Sequence, residues 1–131
     1  MTRKARKVTN RAVWTAQTLL ALLFIFAGTM KFLMPPEKMQ GPIALPLGFI
    51  YFIGMMEILG GLGLVLPGVF RIRTELTTVA AVGLLTIMSG ATTISVLGLG
   101  IAAGIVPAVV GILAGTIAYM RVNVVPLPAR A

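Results

Sequence analysis

The chain contains no cysteine and no histidine among its 131 residues. The lack of cysteine excludes disulfides, thiol redox chemistry and thiolate metal sites, and the lack of histidine excludes imidazole acid–base catalysis. Acidic residues are also scarce, with three Asp and Glu against eleven Lys and Arg. From the sequence we therefore expect no catalytic residue, no metal site and no bound cofactor.

Charged residues make up only 11% of the chain, whereas hydrophobic residues make up 58%. Soluble domains usually carry about a quarter charged residues, so the composition indicates a membrane environment. The net charge of +8 does not indicate a nucleic-acid partner, because no aromatic residues alternate with the basic ones to stack on bases. Basic residues crowd the first eleven positions. We interpret them as a topology signal that also attracts the anionic headgroups of the lipid bilayer.

Four apolar segments are long enough to cross a hydrocarbon core of about 30 Å. We predict an all-α fold, an antiparallel four-helix transmembrane bundle over residues 12–120. A basic tail at 1–11 precedes it and a second tail at 121–131 follows it. The predicted spans cover residues 12–34, 47–66, 76–97 and 101–119.

Residues that start or end helices separate these spans. The segment 35–46 contains four prolines and forms the first connecting loop, and Pro67-Gly68 closes the second span. Thr74-Glu75 is typical of a helix start. The segment Gly98-Leu99-Gly100 predicts a short turn, and Pro107 predicts a kink in the fourth span.

Basic residues near the span ends predict the orientation of the bundle. The N-terminal tail shares one side with Arg71, Arg73, Arg121 and Arg130, while the other side has Lys38, with Lys31 near its membrane edge. Cytoplasmic segments are enriched in Lys and Arg. We therefore predict that both termini are cytoplasmic (N-in/C-in) in a multi-pass protein of the inner (plasma) membrane.

Glu57 is an ionisable residue near the middle of a predicted span. It lies about 15 Å below the outer boundary of the second span, where a charge is costly and a functional role is the usual explanation. Three interpretations remain open. The residue is a neutral carboxyl that hydrogen-bonds across the bundle, an ionised carboxylate paired with a cation, or the polar wall of a small pocket that binds a ligand or transfers protons.

Two sets of side chains are candidate partners of Glu57. Thr86, Ser89 and Thr93 form a polar stripe on the third span at spacings of three and four, and we expect them to be its neutral partners. Lys31 is the cationic candidate. It lies about 15 Å above Glu57 if both helices are straight, so we expect its ammonium group to reach the headgroups instead.

Small residues on the predicted spans favour close helix packing. The candidates are Gly28, Gly54, Gly60, Gly61, Gly111 and Gly115. Three of them, Gly54, Gly60 and Gly61, flank Glu57 on one helical face. A neighbouring helix that approached this face would shield the acid from lipid. Packing within the chain and assembly of a homo-oligomer both remain open.

Two motifs carry a resemblance to a known family. The sequence FAGTMKF, with Gly28, Lys31 and Phe32, ends the first span, and GMMEILGGLGLVLPG, with Glu57, runs through the second. The chain resembles the DoxX-like family in these motifs and over nearly its whole length after the basic tail. The resemblance implies a small four-helix bacterial inner-membrane protein.

The resemblance also suggests one function, and the midplane position of Glu57 suggests an alternative. Some relatives are similar to a subunit of a thiosulfate:quinone oxidoreductase or associate with oxidative-stress enzymes, which implies a non-catalytic accessory or assembly partner of a membrane redox protein. The alternative is a protein that binds a quinone or another lipophile, with Glu57 as the polar anchor. Transport has little support, because the spans contain one midplane charge and no visible pair of broken helices.

Overall fold

The computed structural model describes residues 2–39 and 44–128. All regular elements in that part of the chain are helical: α1 (Arg3–Leu33), α2 (Pro36–Met39), α3 (Leu47–Phe70), α4 (Glu75–Leu99), a 3₁₀ turn (Ile101–Gly104) and α5 (Ile105–Asn123). Four helices are long and apolar enough to cross a membrane, namely α1, α3, α4 and α5 with its 3₁₀ turn. The predicted all-α class with four spans is confirmed for these residues. Residues 40–43 of the first connecting loop, and Arg130, lie outside the described residues.

Helix α1 begins well before residue 12, the predicted start of the first span. The hydroxyl oxygen of Thr2 accepts a hydrogen bond from the backbone N–H of Ala5 at 3.0 Å, which caps the first turn. From Arg3 onward the basic segment is therefore a helical extension of the first span.

Helix α3 continues past Pro67, which we predicted would close the second span. Proline cannot donate a backbone hydrogen bond to the carbonyl of Gly63, yet α3 runs on to Phe70. The helix ends at Arg71, which has a left-handed φ of 57° and donates its N–H to the carbonyl of Pro67. The predicted end at residue 66 is wrong by about one turn, because one missing hydrogen bond does not outweigh the packing of the remaining residues.

Helix α4 begins at Glu75, where the sequence predicts a helix start. The side chain of Thr74 makes no capping hydrogen bond, and its backbone carbonyl accepts from Thr77 at 3.2 Å instead. At its other end α4 includes Leu99, so the predicted turn begins too early. The chain reverses at Gly100, whose φ of 98° suits glycine.

Pro107 lies in the first turn of α5, close to its start at Ile105. Backbone N–H groups in a first turn have no partner within the helix, so proline removes no hydrogen bond there. In this region the backbone departs from α-helical geometry in the 3₁₀ turn before α5. No proline lies in α5 beyond its first turn. The helix continues to Asn123, so Arg121 belongs to its last turn and not to the predicted tail.

The long helices that follow one another in sequence pack side by side: α1 with α3, α3 with α4, and α4 with α5. Helices α1 and α3 run antiparallel, as two of their contacts show. Near one end of the first pair Gly28 lies beside Gly54, and near the other Trp14 lies beside Gly68. Helices α1 and α5 meet less extensively. The core consists of buried side chains from all four helices, namely Leu20, Ala21, Phe24, Leu64, Ala81, Leu84, Met88, Ala114, Ile117 and Ala118.

Glycine makes the close approach of α1 and α3 possible. A Cβ atom at Gly28 would overlap the carbonyl oxygen of Gly54, and one at Gly61 would lie 2.9 Å from the carbonyl oxygen of Ala21. Both obstacles are backbone atoms, which side-chain rotation cannot move. The two helices therefore contact each other through their main chains at these points.

A Cβ atom at Gly54 would lie 3.1 Å from the carbonyl oxygen of Gly28, whereas the remaining predicted packing glycines contact side chains. A Cβ atom at Gly60 would lie 2.7 Å from Leu84 of α4, and one at Gly111 of α5 would lie 3.2 Å from Met88. At Gly115 the nearest atom is 3.5 Å away, which is ordinary van der Waals distance. The glycines thus line all three helix pairs, with the tightest fit between α1 and α3.

One end of the bundle collects most of the positive charge. We call it the basic end; it contains residues 3–11, residues 71–74 and residues 121–128. Arg121 donates to Asn10, which joins the first and last of these segments, and Thr74 lines a small cleft together with Arg121 and Pro126. The described residues at the opposite end are 34–39, 44–46 and Gly100.

Candidate functional site

Glu57 and Lys31 form an ion pair between α3 and α1. The ammonium nitrogen of Lys31 lies 2.9 Å from Oε2 of Glu57. The side chain of Glu57 is 5% exposed, whereas that of Lys31 is 30% exposed. Lys31 is therefore the more accessible residue of the pair. Among the three interpretations of Glu57, this geometry is that of the paired carboxylate.

The expectation that Lys31 would reach the headgroups instead of Glu57 is wrong, and the helix register explains why. A Cβ atom at Gly54 would lie 3.1 Å from the Cβ atom of Lys31, so the two residues are level with each other. Glu57 is three residues, or about 4.5 Å, further along α3. A lysine side chain spans that distance. The first turn of α3 extends beyond the end of α1. The predicted separation of about 15 Å assumed instead that the two spans end at the same level.

The hydroxyl groups of α4 are not the neutral partners of Glu57. Thr86 donates to the carbonyl of Val82 at 3.0 Å, and Ser89 donates to that of Leu85 at 2.9 Å. Thr93 donates to the carbonyl of Ser89 at 2.9 Å. Such bonds to the preceding turn are the usual arrangement for Ser and Thr inside helices. All three predicted residues are exposed on the apolar surface, and the predicted partnership is wrong.

A cleft lies beside the ion pair, between α3 and α4. Its volume is about 410 Å³. Lys31 and Glu57 contribute to its wall; the other lining residues are Leu45, Phe49, Phe52, Ile53, Thr86, Ile87, Gly90, Ala91, Ile94 and Ser95. We call this space the α3–α4 cleft. Of the predicted polar residues, Thr86 joins the pair there, whereas Ser89 and Thr93 do not line it.

The α3–α4 cleft combines an apolar lining with one charged pair. Electrostatic attraction is stronger in such surroundings than in water. An ammonium group has three hydrogen-bond donors, and the described residues accept one of them, through Glu57. Lys31 can therefore donate to an acceptor on a molecule in the cleft while Glu57 holds it in place.

A second buried polar group lies at the basic end. Arg121 is 4% exposed. Its Nε donates to Oε1 of Gln17 at 2.6 Å, and its Nη1 donates to Oδ1 of Asn10 at 2.6 Å and to the carbonyl of Val125 at 2.8 Å. The guanidinium also lies 5.4 Å from the ring centre of Trp14, a cation–π contact.

Gln17 connects Arg121 to α3. Its Nε2 donates to the carbonyl of Leu64 at 2.5 Å. Arginine can only donate and a carbonyl can only accept, so these two partners determine the orientation of the Gln17 amide. The network joins α1, α3, α5 and the segment after α5. Nη2 of Arg121 has no hydrogen-bond partner among the described residues.

Comparison with protein families matches the chain to the DoxX-like family over residues 15–120. This range includes both the Lys31–Glu57 pair and Gln17, and it covers most of the chain. The chain belongs to the DoxX-like family. Comparison with curated proteins and with solved structures gives no match.

The matched range of this DoxX-like protein excludes two of the three segments of the basic end, residues 3–11 and residues 121–128. Arg121, Asn10 and Trp14 all lie outside residues 15–120. The sequence by itself placed Arg121 in the C-terminal tail. A signal was present: Gly111, Ala114, Ile117 and Ala118, all buried, precede Arg121 at helical spacing. The face of α5 that packs inward therefore includes the arginine.

Neither site in this DoxX-like chain has the composition of a metal centre. Within residues 2–39 and 44–128, no three His, Cys, Asp or Glu residues lie close enough to hold a metal ion. The α3–α4 cleft offers one carboxylate and one ammonium group, and the network at the basic end offers a guanidinium and two amides. These groups suit hydrogen-bonding and anionic ligands.

Proposed function

We propose that this DoxX-like protein binds a lipophilic molecule with a polar head in the α3–α4 cleft. The Lys31–Glu57 ion pair in the wall of that apolar cleft carries the proposal. Clefts of about 300–1,000 Å³ with an apolar lining and a few polar groups are typical of small-molecule sites, and this one measures about 410 Å³. A quinone has the required chemistry, because it combines an apolar ring with carbonyl oxygens that accept hydrogen bonds.

The two charged residues have different roles in this proposal. Lys31 is partly exposed and donates to the polar head of the ligand. Glu57 is buried and orients Lys31. Phe49 and Phe52, which are about half exposed, present aromatic surface to the ring of the ligand.

Binding of decylubiquinone to the purified protein in detergent tests the proposal. A ligand that binds only the folded state stabilises it by about 2.7 kcal/mol at a hundredfold excess over its dissociation constant. We therefore expect the quinone to raise the unfolding midpoint of the wild-type protein, and dodecane, which lacks a polar head, not to do so. An unchanged midpoint at saturating decylubiquinone would contradict the proposal.

Two glycine variants locate the bound quinone. A Cβ atom at Gly90 meets nothing within 4 Å, so Gly90→Leu starts a side chain in open space and places it in the cleft. Gly48 has the same open surroundings but does not line the cleft. Gly90→Leu should abolish the effect of decylubiquinone, and Gly48→Leu should preserve it. Equal effects of both variants would place the quinone elsewhere.

An accessory role in a membrane redox system follows from the same proposal. The chain has no cysteine or histidine, so a bound quinone would exchange electrons with another protein. We expect affinity purification in mild detergent to recover a protein that carries a redox cofactor. Recovery of the chain alone at several expression levels would count against this role, while leaving the binding of decylubiquinone unaffected.

A further inference from the structure

The basic end contains a second cavity, of about 460 Å³, that differs in character from the α3–α4 cleft. Its described lining consists of Arg3, Arg6, Lys7, Asn10, Val125, Pro126 and Pro128. No acidic residue is among them. We propose that this cavity binds the phosphate of an anionic phospholipid headgroup, such as that of phosphatidylglycerol.

The spacing of the basic residues supports an anionic ligand. Arg3, Arg6 and Lys7 are three and four residues apart on α1, so they project from one helical face. Like charges at these spacings destabilise a helix. A phosphate placed among them replaces this repulsion with charge-assisted hydrogen bonds.

The opposite wall of the cavity is held in place by buried contacts. Val125 is 3% exposed, its N–H donates to the carbonyl of Met120 at 2.8 Å, and its carbonyl accepts from Arg121 at 2.8 Å. Pro126 and Pro128 restrict the backbone that follows. The segment after α5 therefore forms a wall for the cavity.

Arg121 also orients the base of the cavity. Its Nη1 donates to Oδ1 of Asn10 at 2.6 Å, which leaves the amide nitrogen of Asn10, a donor, for another group. The unpartnered Nη2 of Arg121 is buried in the same network. The cavity thus has cations on one wall and a hydrogen-bond donor at its base.

The position of the cavity favours a lipid over a free phosphate. Trp14 is the type of residue that lies at the membrane interface, and Asn10 and Lys7 are about 6 and 10 Å beyond it along α1. The headgroup region of a bilayer extends about 5–7 Å beyond the hydrocarbon. Asn10, at the base of the cavity, therefore lies within the headgroup region, and the basic residues lie on its outer side.

Calorimetric titration of the full chain in detergent tests this assignment. The probes are dioctanoyl phosphatidylglycerol, dioctanoyl phosphatidylcholine and glycerol phosphate. We expect phosphatidylglycerol to bind about tenfold more tightly than phosphatidylcholine, whose headgroup carries no net charge. Binding of glycerol phosphate as tight as that of phosphatidylglycerol would overturn the assignment to a lipid.

Charge-matched variants distinguish a built cavity from general attraction. The double variant Arg6→Gln/Lys7→Gln should weaken the binding of phosphatidylglycerol by about tenfold, because it removes two charge contacts. The control Lys4→Gln/Arg11→Gln removes the same charge from the same helix, at residues that do not line the cavity, and should weaken binding less than about threefold. All four side chains are exposed, so both variants should keep the wild-type unfolding midpoint. Equal losses in the two variants would overturn the proposal.

Discussion

Glu57 has one charged neighbour within hydrogen-bond distance among the described residues, Lys31 at 2.9 Å. The carboxylate is nearly buried, so its free energy depends strongly on that partner. The partial exposure of Lys31 lowers the cost of desolvating the pair. It also leaves the lysine accessible to a ligand, and this difference between the two residues underlies the proposed binding site.

A double-mutant cycle should show this dependence. We expect Lys31→Met to lower the free energy of unfolding by about 2–4 kcal/mol, because it leaves a buried charge without a partner. Lys31→Met/Glu57→Gln should lose much less, since it leaves no unpaired charge. Equilibrium unfolding in mixed micelles measures both of these variants and the single variant Glu57→Gln, which completes the cycle. Lys38→Met, at an exposed lysine of α2, is the control, and simple additivity of the two site variants would contradict the coupling.

Arg121 should not be replaceable by lysine. The guanidinium donates to Gln17 through Nε and to Asn10 and Val125 through Nη1. A single ammonium group cannot reproduce this planar arrangement. We expect Arg121→Lys to destabilise the protein by about 1–3 kcal/mol in the same unfolding assay. The matched change Arg73→Lys, at an exposed position, should have little effect, and equal effects would show that the network adds no stability.

At the scale of helices, the contact between α1 and α3 determines the position of the ion pair. Lys31 reaches Glu57 because α1 and α3 approach closely at Gly28 and Gly54. The contact between Gly28 and Gly54 also determines which turn of α3 lies level with Lys31. A small change in their separation should therefore affect both stability and the site.

Two glycine-to-alanine variants separate helix packing from helix propensity. Gly28→Ala places a methyl group against the carbonyl oxygen of Gly54, so we expect a loss of about 1–3 kcal/mol in the free energy of unfolding. Gly83→Ala meets nothing within 4 Å. It should be neutral or stabilise by up to about 1 kcal/mol, because alanine favours the helix. Thermal unfolding in detergent compares the two, and equal midpoints would refute the packing argument.

At the scale of the whole molecule, one end of the bundle carries a large excess of positive charge. The described residues near that end include one acid, Glu75. The basic side chains there are those of residues 3–11, Arg71, Arg73 and Arg121. Cytoplasmic segments of membrane proteins are enriched in Lys and Arg, and anionic lipids of the cytoplasmic leaflet attract such charge. We therefore propose that the basic end faces the cytoplasm.

Single cysteines test this orientation without background, because the native chain has none. We expect a membrane-impermeant maleimide to label Ala44→Cys in intact cells. Thr2→Cys and Pro128→Cys should react only after the membrane is permeabilised. All three positions are exposed. Labelling of Thr2→Cys in intact cells, with Ala44→Cys protected, would reverse the assigned orientation.

The sequence by itself determined the number of helices long and apolar enough to span a membrane, and the separation of apolar spans from basic segments. These features depend on local composition, since each span needs only enough consecutive apolar residues to cross the hydrocarbon. The sequence did not indicate the short helix α2, which lies in the predicted first loop. The helix start at Glu75 was also predictable, because it is a local signal. The helix ends near Pro67 and Gly98 were not, because packing along α3 and α4 extends both helices beyond their local signals.

The tertiary structure alone decided which polar groups meet. Lys31 reaches Glu57 because the register of two helices brings them level, and Arg121 reaches Gln17 from a distant part of the chain. The sequence pointed instead to the hydroxyls of α4, whose spacing is helical but which hydrogen-bond to their own backbone. Spacing along one helix shows which face a residue occupies. Only the packed bundle shows what that face contacts and at what depth.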